Sequence, residues 1–431
     1  MRRRTPARVP VARPVAALVA LVAALTAGAP PRPASASAST DTLVGLPVLD
    51  PGDARGGCSP AARVTFTGQP WAQRRLTPQR AWMLTRGAGV TVAVIDSGVD
   101  PSVPQLAGHV GAGANLVARG PGDVDCVAHG TFVAGIIAAR PVAGVPFAGI
   151  APDARILPLR QTVNGADGSV KLLAAAIRKA VQGGATVVNV SLSAYASSPE
   201  LEAAVRDAIR HDVLVVAATG NRGDNGNPRP FPASLPGVLA VGALDEKGAV
   251  PKSSGTGPFV SLVAPGVDVV SLGRGGPGHL RGSGTSFAAP FVAGVAALVR
   301  ARYPRLSAVQ VKHRLEVTAD HPATALPDPT FGYGVVNPMA AVSTVLAEES
   351  GPAPRGPVPQ VVSLGRPPPP GSPGSGVGLA ALAVTVLLAA GGALVRTVAV
   401  AGRRRGWRPA GSRPRPASVS RVDPAPPGRA S

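Results

Sequence analysis

Ser286 stands where a serine hydroxyl could act as a nucleophile. It follows a small, polar turn that contains glycine, and the uncharged run of Ala, Val and Leu after it predicts a buried helix. The start of a helix carries unpaired backbone N–H groups and the positive end of the helix dipole, which stabilise negative charge on a nearby oxygen. We expect Pro290 to lie in the first turn of this helix, where its missing N–H costs little. The alternative is that Ser286 only caps the helix, as many serines do.

Three other polar side chains stand beside glycines at the ends of apolar segments. Asp96 ends the β-branched run 91–95, His129 opens a second apolar helix, and Asn221 follows the predicted strand 213–217. The carboxyl edge of an open α/β sheet is where such folds hold their active sites. With Ser286, these residues supply a carboxylate, an imidazole, an amide and a hydroxyl. Acyl transfer needs such a nucleophile and a base that takes its proton.

The motifs around these residues resemble those of the subtilisin-type serine peptidases. They read V-I-D-S-G, H-G-T, A-T-G-N and G-T-S-F-A-A-P, and they occur in that family's order. One such motif is weak evidence, but four in the same order are specific. The resemblance implies a subtilisin-like serine endopeptidase.

The resemblance also assigns a role to each of the four residues. His129 takes the proton of Ser286 as general base and later returns it to the leaving amine. Asp96 holds the second ring nitrogen and stabilises the imidazolium. Asn221 and the backbone N–H of Ser286 form the oxyanion hole. Three other carboxylates lie nearby in the sequence without ending a β-branched strand: Asp100, Asp123 and Asp125.

By the same resemblance, two short segments, residues 190–193 and 217–220, flank the substrate main chain and line the primary specificity pocket. Their substrate-binding residues are Ser191, Leu192, Ser193, Thr219 and Gly220. The family commonly has glycine where Ser193 stands, so the size of the pocket and the preferred substrate residue stay open. No loop rich in Asp and Glu suggests a metal site, and we expect neither a metal nor a cofactor, although family members often bind calcium through scattered loops.

Predicted strands alternate with apolar helices over residues 89–345, which we expect to form the peptidase domain. The strands are 91–95, 156–159, 187–191, 213–217, 238–242 and 260–263. The helices are 132–139, 170–182, 199–210, 286–301 and 307–316. This alternation predicts an α/β fold whose mainly parallel sheet is covered by helices on both faces.

Residues 1–36 have the pattern of a secretion signal. Five arginines in the first 13 residues precede an apolar stretch, and Ala34, Ala36 and Ala38 provide small residues for cleavage after Ala36 or Ala38. A membrane anchor would need a longer apolar run. We therefore expect export.

Residues 37–88 are expected to form an extension that wraps the catalytic domain. The stretch 69–90, Q-P-W-A-Q-R-R-L-T-P-Q-R-A-W-M-L-T-R-G-A-G-V, resembles the lead-in of the mycosins, which are subtilisin-like proteases of actinobacterial type VII secretion. A cleaved inhibitory propeptide is the rival interpretation. In an exported chain the two cysteines, Cys58 and Cys126, are expected to form a disulfide, and Cys126 stands three residues before His129. Such a bond would keep the extension attached beside the cleft.

The carboxyl-terminal part predicts a membrane anchor. A Pro-rich linker is expected over residues 346–376, and residues 377–395 carry no charge, which predicts a transmembrane helix over 377–400. Arg396 and Arg403 to Arg405 follow, so the positive-inside tendency places the basic tail, residues 401–431, in the cytoplasm. The catalytic domain would then lie on the extracytoplasmic side of the cell membrane, held by a single span.

The net charge of +20 does not indicate nucleic-acid binding. Residues 89–345 hold 20 Lys and Arg against 17 Asp and Glu, so most of the positive charge lies in the two ends of the chain. This central part also lacks a basic block with interleaved aromatic residues, so no nucleic-acid partner is expected.

The resemblance favours a membrane-anchored serine endopeptidase that processes substrates of a type VII secretion system. Its expected partners are secreted protein substrates and the membrane complex of that system. Two alternatives remain: a structural component of the secretion complex with secondary proteolytic activity, and a protease that degrades envelope proteins in general. The four intact motifs favour retained catalysis.

Overall fold

Seven parallel strands form the central sheet of the first of two structural units. The computed structural model describes residues 46–49, 57–163, 169–349 and 375–405. The first unit ends at Gly351 in the sequence, and the second begins at Pro352. The strands of the sheet are β1 (Thr91–Asp96), β2 (Ala114–Asn115), β3 (Arg155–Arg160), β4 (Val187–Val190), β5 (Leu214–Ala218), β6 (Leu239–Leu244) and β7 (Val260–Pro265). Their spatial order is β2-β3-β1-β4-β5-β6-β7. A two-stranded antiparallel sheet contains β8 (Val269–Leu272) and β9 (His279–Gly282).

Helices cover both faces of the parallel sheet. In chain order they are α1 (Trp71–Leu76), α2 (Pro78–Ala81), α3 (His129–Ala138), α4 (Val170–Gln182), α5 (Pro199–Arg210), α6 (Thr285–Arg302), α7 (Ala308–Val317) and α8 (Pro338–Ser343). Helices α3 and α6 pack on one face, and α4 and α5 pack on the other. The predicted fold class is confirmed.

The central strand β1 shows how the sequence produces these two layers. Val92 and Val94 point into the core on the α3 and α6 side, whereas Ala93 and Ile95 point into the core under α4 and α5. Successive side chains of a strand face opposite sides of a sheet, and both sides are buried here, so the strand is apolar throughout. Its last residue, Asp96, is therefore the only ionisable group of the strand.

Several predicted boundaries were wrong. Helix α6 begins at Thr285, so Pro290 is its sixth residue and lies inside the helix instead of in its first turn. Helix α3 begins at His129, three residues earlier than predicted. Strands β2, β8 and β9 and helices α1, α2 and α8 were not predicted, because each is short and carries too few residues to show a period.

The described part of the extension packs against the domain. Trp71 donates its indole N–H to the carbonyls of Val267 and Asp268, at 3.1 and 3.2 Å. Trp82 donates in the same way to the carbonyl of Ile150 at 2.8 Å. Each ring therefore combines apolar burial with a hydrogen bond, which is how tryptophan is usually accommodated in a core.

Another contact of the extension involves a buried histidine of β9. The Nδ1 atom of His279 accepts a hydrogen bond from the N–H of Phe66 at 3.1 Å, and its ring packs edge-on against Phe147. Burial lowers the pKa of His279 from 6.5 to about 4. Between about pH 4 and pH 6.5, the folded protein therefore keeps the imidazole of His279 neutral, whereas in the unfolded chain it would be protonated.

We expect His279 to make folding sensitive to acid. Its folded pKa is depressed, so its contribution to stability is complete above 6.5 and is lost as the pH falls towards 4. The free energy of unfolding should fall by about 2 to 3 kcal/mol between about pH 7.5 and about pH 4.5 because of this group. Denaturant unfolding at both pH values, compared with His279→Gln, measures this share. The exposed His211→Gln is the matched control, and an equal acid loss in all three proteins would contradict the assignment.

The second unit contains one long helix, α9 (Ser375–Arg404). Ala383–Gly402, 20 residues with a mean hydropathy of 1.9, is long and apolar enough to cross a membrane. This span ends later than the charge-free run 377–395 and includes Arg396. The predicted signal peptide (residues 1–36), residues 37–45 and 50–56 of the predicted extension, residues 350–374 of the Pro-rich linker and the tail beyond residue 405 lie outside the described residues.

Candidate active site

Asp96 lies at the switch point of the parallel sheet. Strand β1 pairs with β3 on one side and with β4 on the other. The connections that follow the neighbouring strands β1 and β3 lead to opposite halves of the sheet. Such points open a crevice that holds the site in open α/β sheets. Asp96 is fully buried there, and its Oδ1 accepts a hydrogen bond from the N–H of Ser97 at 2.7 Å.

His129 faces this carboxylate from the first turn of α3. Its Nδ1 lies 2.7 Å from Oδ1 of Asp96, and its ring centroid lies 5.1 Å from that of Phe287, the residue after Ser286. Burial by itself lowers the pKa of His129, but the charge and hydrogen bond of Asp96, helped by Asp125, raise it above the ordinary value of 6.5. An imidazole held in this way is oriented to accept a proton on its other nitrogen.

Asp125 is a second buried carboxylate near the histidine, but it has a different set of partners. It accepts hydrogen bonds from Ser97 Oγ, from both donors of Thr131 and from the N–H groups of Val127 and Ala128, at 2.6 to 3.1 Å. Burial raises the pKa of Asp125, and the nearby charge of Asp96 adds to this rise. Asp125 therefore fixes the turn that leads into His129, whereas Asp96 contacts the imidazole itself.

Ser286 and Asn221 face the same space at the start of α6. The cap of this helix is Gly284, and no side chain caps it, so Ser286 is not an N-cap. Asn221 Oδ1 accepts hydrogen bonds from N–H and Oγ1 of Thr285, at 2.9 and 3.0 Å, which directs its Nδ2 away from them. A Cβ on Gly284, whose φ is 152°, would lie 3.1 Å from Ser286 Oγ and 3.2 Å from Asn221 Nδ2. Glycine leaves this space open.

Pro290 and Ser191 together explain how the turn at Ser286 is held. In an ordinary helix the carbonyl of Ser286 would accept the N–H of residue 290, but proline has none. Ser191 Oγ donates to this carbonyl at 2.7 Å instead, and Asn189 Nδ2 donates to Ser191 Oγ at 2.8 Å. The side chain of Ser191 thus supports the serine turn, a role that sequence inspection did not identify.

Most of the predicted site residues line one cavity of about 340 Å³. The predicted members of its wall are His129, Ser191, Leu192, Ser193, Gly220, Asn221 and Ser286. Asp96 lies behind His129, and Thr219 is buried outside the wall. A larger cavity of about 740 Å³ contains neither His129 nor Ser286, so its size does not make it the candidate site.

Several wall residues were missed by sequence inspection. They are Leu49, Tyr195, Arg222, Ser283, Thr285 and Phe287, whereas Ala218, also in the wall, belongs to a segment predicted to flank the substrate. Thr285, Phe287 and Arg222 adjoin predicted site residues and could have been named from that position alone. Leu49 reaches the cavity because residues 47–49 pair with Arg281 of β9, and no local sequence signal predicts so distant a contact.

The extension is bonded covalently to the loop before His129. Cys58 and Cys126 form a disulfide, and the N–H of Ser59 donates to the carbonyl of Cys126 at 2.7 Å. Arg274 donates to the carbonyls of Asp125 and Ser59, one on each chain segment. The loop that leads into His129 is therefore fixed by the disulfide to the extension and by the hydrogen bonds that Asp125 accepts.

This arrangement has the parts that acyl transfer requires. A hydroxyl and a buried imidazole line one cavity, a carboxylate orients the imidazole, and an amide donor and the start of a helix lie beside the hydroxyl. Among the described residues, no three His, Cys, Asp or Glu side chains cluster as metal ligands.

Comparison with known proteins gives consistent matches. The model of the subtilase family, Peptidase_S8, matches residues 87–334. Mycosin-1 of Mycobacterium tuberculosis is 35% identical over 380 residues, which cover 72% of this chain and 84% of the relative.

Two solved structures have the same fold. The crystal structure of MycP1 from the ESX-1 type VII secretion system is 33% identical, with a TM-score of 0.61, and the match covers 72% of this chain and 98% of that chain. A chain of the periplasmic assembly from the ESX-5 inner membrane complex is 34% identical, with a TM-score of 0.59, and the match covers 73% of this chain and 94% of that chain.

Proposed function

Because this chain belongs to the subtilase family, as a serine endopeptidase of the mycosin type, we propose that it hydrolyses peptide bonds through Asp96, His129 and Ser286. Asn221 and the backbone N–H of Ser286 bind the oxyanion, and the segments that contain Ser191, Leu192, Ser193, Thr219 and Gly220 flank the substrate. The observation that carries the proposal is the 2.7 Å contact between His129 and Asp96 beside the cavity that Ser286 lines.

The reaction proceeds in two halves on this geometry. His129 takes the proton of Ser286 Oγ as the oxygen attacks the carbonyl carbon, and the negative charge forms on the carbonyl oxygen beside Asn221 Nδ2. The imidazolium, stabilised by Asp96, then protonates the leaving amine. Water attacks the acyl-enzyme in the second half, with His129 again as the base.

Labelling with a fluorophosphonate probe tests the proposal directly. The purified full chain in detergent should react once, and peptide mapping should place the label on Ser286. Of the four serines that line this cavity with His129, it alone has a hydroxyl that makes no hydrogen bond within the described residues. Heat-unfolded protein is the control, since without the folded site the hydroxyl is an ordinary weak nucleophile. A folded protein that stays unlabelled would reject the hydrolytic proposal.

We propose that the peptidase is anchored in the cell membrane by the apolar helix Ala383–Gly402. The arginines after residue 402 favour a cytoplasmic tail and an extracytoplasmic catalytic domain. The proposed organisation is a signal peptide (1–36), a wrapping extension (37–88), the peptidase domain (89–345), a linker (346–376), a membrane helix predicted over 377–400, which holds most of the apolar span Ala383–Gly402, and a basic tail (401–431).

We further propose that its substrates are proteins secreted by a type VII system. The support is the similarity to MycP1, whose structure is described as belonging to the ESX-1 type VII secretion system. Comparing secreted proteins from cells with wild-type enzyme and with Ser286→Ala identifies these substrates, since uncleaved precursors should accumulate in the variant.

A structural role in the secretion complex is the second candidate. The observation in its favour is the similarity to a chain of the ESX-5 periplasmic assembly. If the role is structural, Ser286→Ala cells keep secreting, whereas cells that lack the whole protein do not. The two functions are compatible in one protein.

A further inference from the structure

The candidate active-site cavity has an uneven charge. Apart from His129, its only ionisable wall residues are Arg222 and Tyr195, and no described Asp or Glu side chain lines it. A substrate that enters this cavity therefore meets a positive charge that no wall carboxylate offsets. Field effects of this kind are strongest in a cleft with low-dielectric walls.

Arg222 contacts an aromatic ring and pairs with no acidic side chain of the described residues. Its guanidinium carbon lies 4.6 Å from the ring centroid of Tyr195, a stacking distance for a cation over a ring. None of the ion pairs among the described residues includes Arg222. Asp224, two residues along the chain, is exposed and also makes none of these pairs. The stacked guanidinium keeps its N–H donors for another acceptor.

Tyr195 adds a second donor beside Arg222. Together with Ser193, these two residues form one part of the cavity wall, which we call the recess. A Cβ on Gly220 would lie 2.9 Å from the Tyr195 hydroxyl and 3.3 Å from Ser193 Oγ, so both hydroxyls converge on that glycine. Ser193 Oγ already donates to the carbonyl of Ala218 at 3.1 Å. The Tyr195 hydroxyl makes no hydrogen bond within the described part of the chain, so it can donate to a ligand.

The position of the recess indicates which substrate residue enters it. Gly220 and Arg222 flank Asn221, whose Nδ2 faces the space beside Ser286 Oγ. A carbonyl attacked by Ser286 thus has its oxygen near Asn221. The substrate residue that contributes this carbonyl lies on the acyl side of the scissile bond. Its side chain would then lie beside Ser193, Tyr195 and Arg222.

We propose that Arg222 and Tyr195 select an acidic residue, glutamate or aspartate, on the acyl side of the scissile bond. The guanidinium and the phenol donate to the carboxylate, and charge-assisted hydrogen bonds of this kind are stronger than neutral ones. The cation in the recess repels lysine and arginine side chains. This inference rests on the proposed peptidase function and names its substrate class.

Matched fluorogenic peptides test the selection. Two peptides differ only in Glu or Gln before the scissile amide, so their side chains have nearly the same shape and differ in charge. The wild-type full chain should have a kcat/KM for Glu at least about tenfold above that for Gln at low salt, and added salt should reduce this ratio. Arg222→Gln should bring the ratio close to one, and Arg222→Glu should invert it. Tyr195→Phe should lower it partly.

Arg229→Gln is the matched control. Arg229 is also exposed and also stacks on an aromatic ring, with its guanidinium carbon 5.5 Å from the centroid of Phe231, but it lies outside the active-site cavity. For this variant, the ratio of kcat/KM for the Glu peptide to that for the Gln peptide should equal the wild-type ratio. Thermal unfolding of every variant verifies that the fold is retained.

The outcomes separate this inference from the proposed function. A folded wild-type protein that fluorophosphonate does not label removes both. A labelled protein with a Glu to Gln ratio near one, or an Arg222→Gln variant that keeps the wild-type ratio, removes only the selection. If neither peptide is cleaved by a labelled protein, peptide aldehydes ending in Glu or Gln are compared for protection of Ser286 from the label. Equal protection again contradicts the role of Arg222.

Discussion

Ser286→Ala is expected to lower kcat for peptide hydrolysis about 10⁶-fold, the size of the loss known for subtilisin, a member of the same family. The substitution removes the oxygen that forms the acyl-enzyme and leaves only the oxyanion hole and substrate binding to accelerate the reaction. The hydroxyl makes no hydrogen bond within the described residues, so the free energy of unfolding should change by no more than about 0.5 kcal/mol.

Ser198→Ala is the matched control for this substitution. Ser198 also stands at the start of a helix, but it is a true cap, because its hydroxyl accepts the N–H of Leu201 at 3.2 Å. Its loss should cost about 1 kcal/mol of stability and leave kcat unchanged. Steady-state kinetics and denaturant unfolding of both variants measure this contrast. If Ser286→Ala lost stability and kept its activity, the hydroxyl would be a structural group and the proposed nucleophile would be wrong.

Asp96→Asn is expected to lower kcat by about 10⁴-fold. The amide has the same size as the carboxylate, so His129 keeps its position but loses the charge that fixes its tautomer and stabilises the imidazolium. Asp96 also raises the pKa of His129, which must be neutral to accept a proton. The pKa of His129 should therefore fall in the variant, and the acid limb of the kcat/KM profile should move to lower pH.

Asp125→Asn distinguishes this effect from a general loss of buried charge. Asp125 accepts hydrogen bonds from the loop and from Thr131, and within the described residues it makes no hydrogen bond with His129. Its replacement should lower stability, because a side-chain amide cannot accept from all of these donors. It should also move the acid limb of the kcat/KM profile less than Asp96→Asn does. Complete pH profiles of kcat/KM for both variants provide the measurement. An acid limb that stays in place in Asp96→Asn would contradict the proposed partnership of Asp96 and His129.

The sequence predicted the regular elements that carry long periodic signals. Helices α4 and α5 have the predicted bounds, and β1 ends at the residue that was singled out for chemistry, because burial on both faces demands a continuous apolar strand. The β8 and β9 pair was missed, since its strands have four residues each and are positioned by tertiary contacts.

Contacts between distant segments set the limits of prediction at the site. Asp96, His129, Asn221 and Ser286 could be named because each ends or opens an element and lies in a recognisable motif. The support that Ser191 gives to Ser286, and the stacking of Arg222 on Tyr195, depend on how separate strands and helices pack. Such pairings follow from three-dimensional proximity and leave no periodic pattern in a single sequence.

The proline inside α6 makes two positions of the chain dependent on each other. With Pro290, the carbonyl at 286 needs an outside donor, and Ser191 supplies it. A residue with its own N–H at 290 would satisfy that carbonyl and release 191 from the requirement for a hydroxyl. Substitutions at the two positions should therefore be non-additive, and sequence drift at one of them constrains the substitutions that the other can accept.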